Sequence, residues 1–84
     1  MKNQTTRFEL ITPDLGDAER IELALWYVKP GQTIEVGQEI LELVTDKAAF
    51  PVESPYNGEL LEIVAPKGSI VKKGQPLGIM KNVS

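Results

Sequence analysis

The chain carries an internal repeat, in which glycines and apolar residues recur at an offset of 37 positions. The matched positions are Gly31 with Gly68, Ile34 with Val71, Gly37-Gln38 with Gly74-Gln75, Ile40 with Leu77, and Leu43 with Met80. Turn and core positions therefore coincide in the two halves, whereas the charged residues do not. This pattern predicts two copies of one supersecondary unit that share a core and are related by an approximate two-fold axis.

The distribution of glycine and proline predicts that each copy is built from β-strands. Seven glycines and six prolines divide the 84 residues into short segments, and Asn57-Gly58 is a strong hairpin signal. The segment 17–29 lacks both residues and is locally compatible with a helix, but its end at Trp26-Tyr27-Val28 favours a strand. Trp26 and Tyr27 would then point to opposite faces. We predict an all-β flattened barrel or sandwich of two four-stranded antiparallel sheets, with strands at about 7–12, 20–28, 33–36, 40–44, 48–54, 59–64, 69–71 and 77–80.

Composition excludes several classes of function. The chain has no cysteine and no histidine, which removes thiolate chemistry, typical zinc sites and hydrolytic triads, so we expect no metal site of these kinds. The net charge is −3 and Lys72-Lys73 is the only adjacent basic pair, which argues against a nucleic-acid partner. No apolar run approaches the ~20 residues needed to span a membrane, and residues 1–7 do not resemble a signal peptide. We expect one small intracellular domain.

One turn stands out as a candidate site. Thr45-Asp46-Lys47-Ala48 lies between two predicted strands, so Lys47 would occupy the tip of a β-hairpin. Lysine is common in turns, because its ammonium stays solvated there, and this fact alone predicts only a solvated connection. The repeat adds a second observation, since the offset of 37 aligns Lys47 with Ser84 at the end of the sequence. The tip and the chain ends are therefore expected at opposite poles, which suits covalent attachment of a group at the tip.

The chain resembles the lipoyl domains of the biotinyl/lipoyl-attachment family, as found in dihydrolipoyl acyltransferases of 2-oxo acid dehydrogenases. The resemblance covers about residues 8–81 and rests on Asp14-Leu15-Gly16, Val28-Lys29-Pro30-Gly31, Val36-Gly37-Gln38, Thr45-Asp46-Lys47-Ala48, Ser54-Pro55 with Gly58, Gly68, and Val71-Lys72-Lys73-Gly74-Gln75-Pro76-Leu77. It implies lipoate in amide linkage on Lys47. The domain would then span 8–81, with a flexible segment at 1–7 and a tail at 82–84.

The resemblance also implies a carrier that is no enzyme by itself. Lipoate on Lys47 would shuttle acyl groups and electrons between a thiamine-dependent 2-oxo acid decarboxylase, the acyltransferase core and dihydrolipoyl dehydrogenase, after attachment by a lipoate ligase or lipoyl transferase. Pyruvate is the default oxo acid because it is the commonest use. The implied location is the cytoplasm, or the mitochondrial matrix in a eukaryote.

Further residues are expected to support this role. Asp46 would order the turn or offer a charge to partners, and Ala48 keeps the flank small for the ligase. The loop containing Asp14, Leu15, Gly16, Asp17 and Glu19 would lie beside the tip and contribute to partner recognition, as the family implies. Its sequence departs from the family after Gly16, where a second glycine is usual. Glu42 and Glu53 flank the hairpin, either for recognition or as solvated strand faces, and Pro51 should face its nitrogen outward or mark a bulge.

Three alternatives remain open at this point. A biotin carrier has a similar fold, but members of that kind place methionine on both sides of the lysine, where this chain has Asp46 and Ala48. A structural adaptor domain of the same shape would carry no modified lysine. A glycine-cleavage carrier resembles the modified turn but needs additional helical segments.

Overall fold

The computed structural model describes residues 5–83, which form eight β-strands and no helix. The strands are β1 (Thr5–Ile11), β2 (Ile21–Trp26), β3 (Thr33–Ile34), β4 (Glu39–Val44), β5 (Ala49–Glu53), β6 (Gly58–Ile63), β7 (Ile70–Val71) and β8 (Pro76–Val83). They build two four-stranded antiparallel sheets, ordered β1-β8-β6-β3 and β5-β4-β2-β7. The predicted all-β architecture is confirmed. Within the described range there is accordingly no helix able to cross a membrane.

The two sheets are copies of each other, and the offset of the sequence repeat relates their registers. Leu23 pairs with Leu43 in one sheet, and Leu60 pairs with Met80 in the other, each immediately before a β-bulge. The crossing turns repeat as well, because the Gly31 amide donates to the Leu60 carbonyl at 2.7 Å and the Gly68 amide donates to the Leu23 carbonyl at 2.7 Å. Both glycines have a φ of +91°, a conformation that side chains with a Cβ rarely adopt. The repeat is thus a structural two-fold.

The core lies between the sheets and is drawn from both. Its fully buried members are aliphatic, namely Leu23, Ile34, Ile40, Leu41, Leu43, Leu60, Leu77 and Met80. Trp26 is half-buried against it, with its indole N–H donating to the Ala65 carbonyl at 2.9 Å, while Tyr27 is exposed. The two neighbouring aromatic residues therefore face opposite sides, as predicted from strand alternation. Burial of this apolar surface, at roughly 25 cal/mol per Å², is the main source of stability.

The ends of the domain differ from the sequence prediction. β1 begins at Thr5, which pairs with Val83, and Thr6 pairs with Asn82. Part of the two segments expected as tails, 1–7 and 82–84, therefore belongs to the sheet. Backbone hydrogen bonding between β1 and β8 keeps these residues in the sheet. Such pairing depends little on the pattern of side chains, so the sequence did not predict it. Residues 1–4 and 84 lie outside the described range.

The hairpin between β4 and β5 and the ends of the described chain lie at opposite poles. β2 begins beside the hairpin tip, because Glu22 pairs with Val44. The chain then leads to β3 at the other end, where Ile34 pairs with Gly58. Gly58 in turn pairs with Asn82 of β8. The molecule measures 49 Å along its longest axis and 20 Å across it, so these poles are well separated.

Candidate functional site

Lys47 occupies the tip of a tight hairpin. Val44 pairs with Ala49, and the Thr45 amide donates to the Ala48 carbonyl at 2.9 Å, which leaves Asp46 and Lys47 as the two tip residues. Both are exposed. No residue of the turn has a positive φ, so the turn is not of the type I′ kind that dominates two-residue hairpins. Another interaction must support this less favoured geometry.

The Thr45 hydroxyl supplies that support. Its Oγ1 accepts hydrogen bonds from the Lys47 amide at 3.1 Å and the Ala48 amide at 3.2 Å. Asp46 was expected either to order the turn or to offer a charge to partners, and the Lys47 and Ala48 amides donate to Thr45 and not to the Asp46 carboxylate. The signal was present, since Ser and Thr hydroxyls commonly bond to amides two or three residues ahead. The charge of Asp46 remains available to a partner.

The strands beneath the tip are anchored in the core. Leu43 is fully buried, and Phe50, paired with it across the hairpin, packs against the core from the edge strand β5. Lysine side chains are long and flexible, whereas this base is held by backbone pairing and apolar contacts. The arrangement presents a mobile amine on a rigid support.

Pro51 is compatible with the strand because of where it sits in the ladder. Hydrogen-bonded and non-hydrogen-bonded pairs alternate in an antiparallel ladder, and the Thr45–Ala48 pair is hydrogen-bonded. Counting along β5 places Pro51, opposite Glu42, in a non-hydrogen-bonded pair. Its nitrogen therefore faces the free edge of the sheet, as expected.

The loop between β1 and β2 is shaped by local contacts. Asp14 Oδ1 accepts a hydrogen bond from the Gly16 amide at 2.9 Å, and Gly16 has a φ of +77°. Leu15 packs partly against the core, so this residue has a structural role in addition to any recognition role. Asp14 and Lys73 approach to 3.8 Å, but both are largely exposed and such a pair contributes little to stability.

The last residue of this loop borders a groove at the tip. A groove of about 210 Å³ is lined by Arg20 and Glu22 on one side and by Val44, Thr45 and Asp46 on the other. The residues expected to recognise partners, Asp14, Leu15, Gly16 and Glu19, instead line a second depression of about 260 Å³ with Lys72 and Lys73. Arg20, which was not among the residues predicted to recognise partners, is therefore the loop residue that borders the tip groove. Asp17 is exposed and lines neither depression.

The two glutamates predicted to flank the hairpin lie away from its tip. Glu42 Oε1 accepts a hydrogen bond of 2.6 Å from the Tyr27 hydroxyl. This hydrogen bond, followed by partial desolvation and the charges of Glu42 and Glu39, raises the pKa of Tyr27. Glu53 pairs with Glu39 at the far end of the hairpin. Their contribution to partner recognition at the lysine stays a prediction, and Glu42 is engaged within the domain.

The chemistry of the tip fits a covalently attached carboxylic acid. Lys47 offers an exposed primary amine, and no carboxylate lies within ion-pairing distance of it among residues 5–83. An amide bond to this amine removes a charge that is solvated and unpaired in that part of the chain, so the fold loses no interaction. The same residues contain no cluster of three or more acidic side chains arranged to bind a metal.

Comparison with known proteins identifies the family that the chain resembles. The profile of a family described as "Biotin-requiring enzyme" matches residues 9–80. The chain is 38% identical over 73 residues to the dihydrolipoyllysine-residue succinyltransferase component of the 2-oxoglutarate dehydrogenase complex from Buchnera aphidicola subsp. Schizaphis graminum, covering 86% of this chain and 19% of that protein. It is 31% identical over 71 residues to the acetyltransferase component of the pyruvate dehydrogenase complex from Bacillus subtilis, covering 83% and 16%. The chain thus spans less than a fifth of the length of these relatives.

Solved structures share the fold. The lipoyl domain of the 2-oxoglutarate dehydrogenase complex from Azotobacter vinelandii superposes with a TM-score of 0.73 at 27% identity, covering 86% of this chain and 92% of that one. A single-chain, multi-domain long-chain acyl-CoA carboxylase superposes with a TM-score of 0.74 at 15% identity, covering 93% of this chain and 7% of that one. The second likeness concerns the fold alone.

Proposed function

Since the chain belongs to the family of biotinyl/lipoyl-attachment domains, we propose that it is a lipoyl carrier in which Lys47 holds the lipoate. Lipoyl members of this family carry lipoate covalently. The observation that carries the proposal is the exposed Lys47 amine at the tip of a two-residue hairpin whose base is buried. A ligase or transferase reaches this amine from solvent, and the Nζ atom of Lys47 forms the amide with the carboxyl group of lipoate.

The domain supports transfer by geometry. When bound, lipoate supplies a dithiolane that accepts acyl groups and electrons. Lys47 contributes reach, because its four-carbon stem extends from a turn fixed by the Thr45 hydroxyl. A short flexible arm on a tethered domain produces an effective concentration of order millimolar at each partner site. The opposite pole, at which the described chain begins and ends, leaves the tip free to enter those sites.

We propose the 2-oxoglutarate complex as the setting. Pyruvate was the default only as the commonest use, but the succinyltransferase relative from Buchnera is 38% identical, whereas the pyruvate relative from Bacillus is 31% identical. A branched-chain lipoamide acyltransferase from Pseudomonas putida is 33% identical over 66 residues. The partners would be a thiamine-dependent decarboxylase, the acyltransferase core and dihydrolipoyl dehydrogenase. In this role the domain has no acyl-transfer activity of its own, and a cytoplasmic or matrix location stays a prediction.

Biotin is the alternative cargo, because the family includes both kinds of carrier. The carboxylase with a similar fold does not favour it, since a likeness at 15% identity concerns the fold alone. Asp46 and Ala48 next to the lysine, in place of methionines, support lipoate. The two cargos add different masses to the same amine.

The test is intact-protein mass after incubation with a lipoate ligase, lipoate and ATP, with a biotin ligase and biotin in parallel. We expect a single lipoyl increment that Lys47→Arg abolishes and Lys67→Arg, at another exposed turn, leaves unchanged. Lipoylation of the Lys47→Arg variant would contradict the assignment of the site, and biotinylation without lipoylation would contradict the cargo. Reductive acylation of the lipoylated domain by 2-oxoglutarate, pyruvate and branched-chain decarboxylases then tests the setting, and the 2-oxoglutarate enzyme should be fastest.

A further inference from the structure

The two-fold relates the edge strands β1 and β5, and these edges are not protected alike. Phe50 pairs with Leu43 in one sheet and Phe8 pairs with Met80 in the other, which makes Phe8 the counterpart of Phe50. The next residue in each strand is Pro51 in β5 and Glu9 in β1. Pro51 removes the backbone donor that faces the free edge, so no further strand can pair there fully.

β1 retains that donor. Because the ladders are equivalent, Glu9 occupies a non-hydrogen-bonded pair with Ile79, and Arg7 does so with Lys81. The amides and carbonyls of Arg7 and Glu9 therefore point away from β8. Within residues 5–83, no strand pairs with that side of β1. The edge carries seven residues without proline, which is long enough to accept another strand.

The side chains of β1 identify the strand that fits. Arg7 and Glu9 are both exposed and lie on the same face, with the half-buried Phe8 between them on the other face. In an antiparallel pairing of two β1 strands centred on Phe8, Arg7 of each copy lies opposite Glu9 of the other. A shift of the centre to Arg7 or to Glu9 places like charges opposite each other, which is unfavourable. The outward amides of Arg7 and Glu9 form hydrogen-bonded pairs in the Phe8-centred register.

We propose that β1 is a self-association edge, at which a second copy of this chain adds antiparallel β1 and extends the sheet across a two-fold axis. Each pair of Arg7 with Glu9 exchanges two backbone hydrogen bonds and brings opposite charges together. The contact is a single strand edge, smaller than the interfaces of stable complexes. Self-association is therefore weak, with a dissociation constant roughly in the high-micromolar to millimolar range.

Such a dimer keeps both lysines available. β1 runs from the pole of the chain ends towards the pole of the hairpin tip, since Ile11 pairs with Pro76 and the loop that follows leads to β2 beside the tip. Antiparallel pairing then places the two Lys47 tips at opposite ends of the dimer. The association is thus independent of the cargo, and failure of the lipoyl assignment would leave it unaffected.

The test uses complementary charge variants of the 84-residue chain. Translational diffusion by NMR and sedimentation velocity are measured from about 10 μM to about 2 mM, the range in which weak dimers form. The wild type should associate, with amide shift changes concentrated at Arg7–Glu9. Arg7→Glu and Glu9→Arg, each alone, should weaken association by about tenfold or more because like charges then oppose each other. An equimolar mixture of the two variants should associate as the wild type does, because the acidic side chains of one variant then lie opposite the basic side chains of the other.

A backbone variant tests the edge itself. Glu9→Pro reproduces in β1 the protection that Pro51 gives β5, and it should abolish association while the dispersed amide spectrum is kept. If that variant does not fold, the charge variants carry the test, since Arg7 and Glu9 are exposed. The proposal is overturned if the wild type stays monomeric at about 2 mM, if either single charge variant associates as well as the wild type, or if the mixture stays monomeric.

Discussion

Replacing Thr45 by valine should loosen the hairpin tip while leaving the core unchanged. The substitution keeps the shape of the side chain and removes the oxygen that accepts hydrogen bonds from the Lys47 and Ala48 amides. A neutral hydrogen bond contributes about 0.5–1.5 kcal/mol, and both amides can turn to water here, so the loss is about 1–2 kcal/mol in total. For a domain of this size, at about 4–8 °C per kcal/mol, the melting temperature should fall by roughly 4–16 °C. The melting temperature of Thr45→Ser, which keeps the oxygen, should fall by less.

Two measurements check this expectation. Thermal unfolding followed by circular dichroism gives the change in melting temperature, and amide hydrogen exchange at Lys47 and Ala48 reports the turn itself. Exchange at both amides should accelerate in Thr45→Val, and attachment of lipoate by the ligase should slow if the ligase needs the ordered turn. Equal melting temperatures and equal exchange in Thr45→Val and Thr45→Ser would refute the role assigned to the hydroxyl.

Two further predictions concern the scaffold. Gly58→Ala should lower the free energy of unfolding, measured with denaturant, by about 3 kcal/mol or more, because a Cβ there overlaps the Lys81 carbonyl oxygen and the backbone must shift. Gly68→Ala, strained at φ +91° but in open space, should lower it by about 1 kcal/mol. Equal losses in the two variants would contradict the close approach at Gly58. Absorbance at alkaline pH should show Tyr27 ionising above its ordinary pKa of about 10, and Glu42→Gln should lower that pKa. Because the folded-state pKa is raised, the stability from this pair is complete below about pH 10 and is lost as pH rises through the folded pKa, so unchanged stability there would count against the hydrogen bond.

Those features of the fold that depend on local or periodic signals were predictable from sequence. The glycines of the repeat mark backbone positions with positive φ, such as Gly31 and Gly68. Because glycine adopts positive φ readily, these positions can be recognised from the sequence. Lys47 at the tip followed from the strands on either side of it. The alternation of Trp26 and Tyr27 followed from the period of a strand.

Features that depend on contacts between distant residues were not predictable. The hydrogen bond between Tyr27 and Glu42 joins residues 15 positions apart through the pairing of β2 with β4. The pairing of Thr5 with Val83 joins the two ends of the described chain, so no local pattern announces it. The groove at the tip depends on the path of an irregular loop, whose last residue, Arg20, lines that groove together with Thr45 and Asp46.

The pairing of β1 with β8 makes the topology of this domain nearly circular. The two-fold relates that pair to the β4–β5 hairpin, so the ends of the described chain stand where a second hairpin would close. A short turn joining those ends would complete a ring of strands without altering any existing pair. The domain thus has two equivalent corners for a loop. One of them is closed by the turn that presents the amine, and at the other the first and last described strands lie side by side, so that the two corners differ in connection but not in strand pairing.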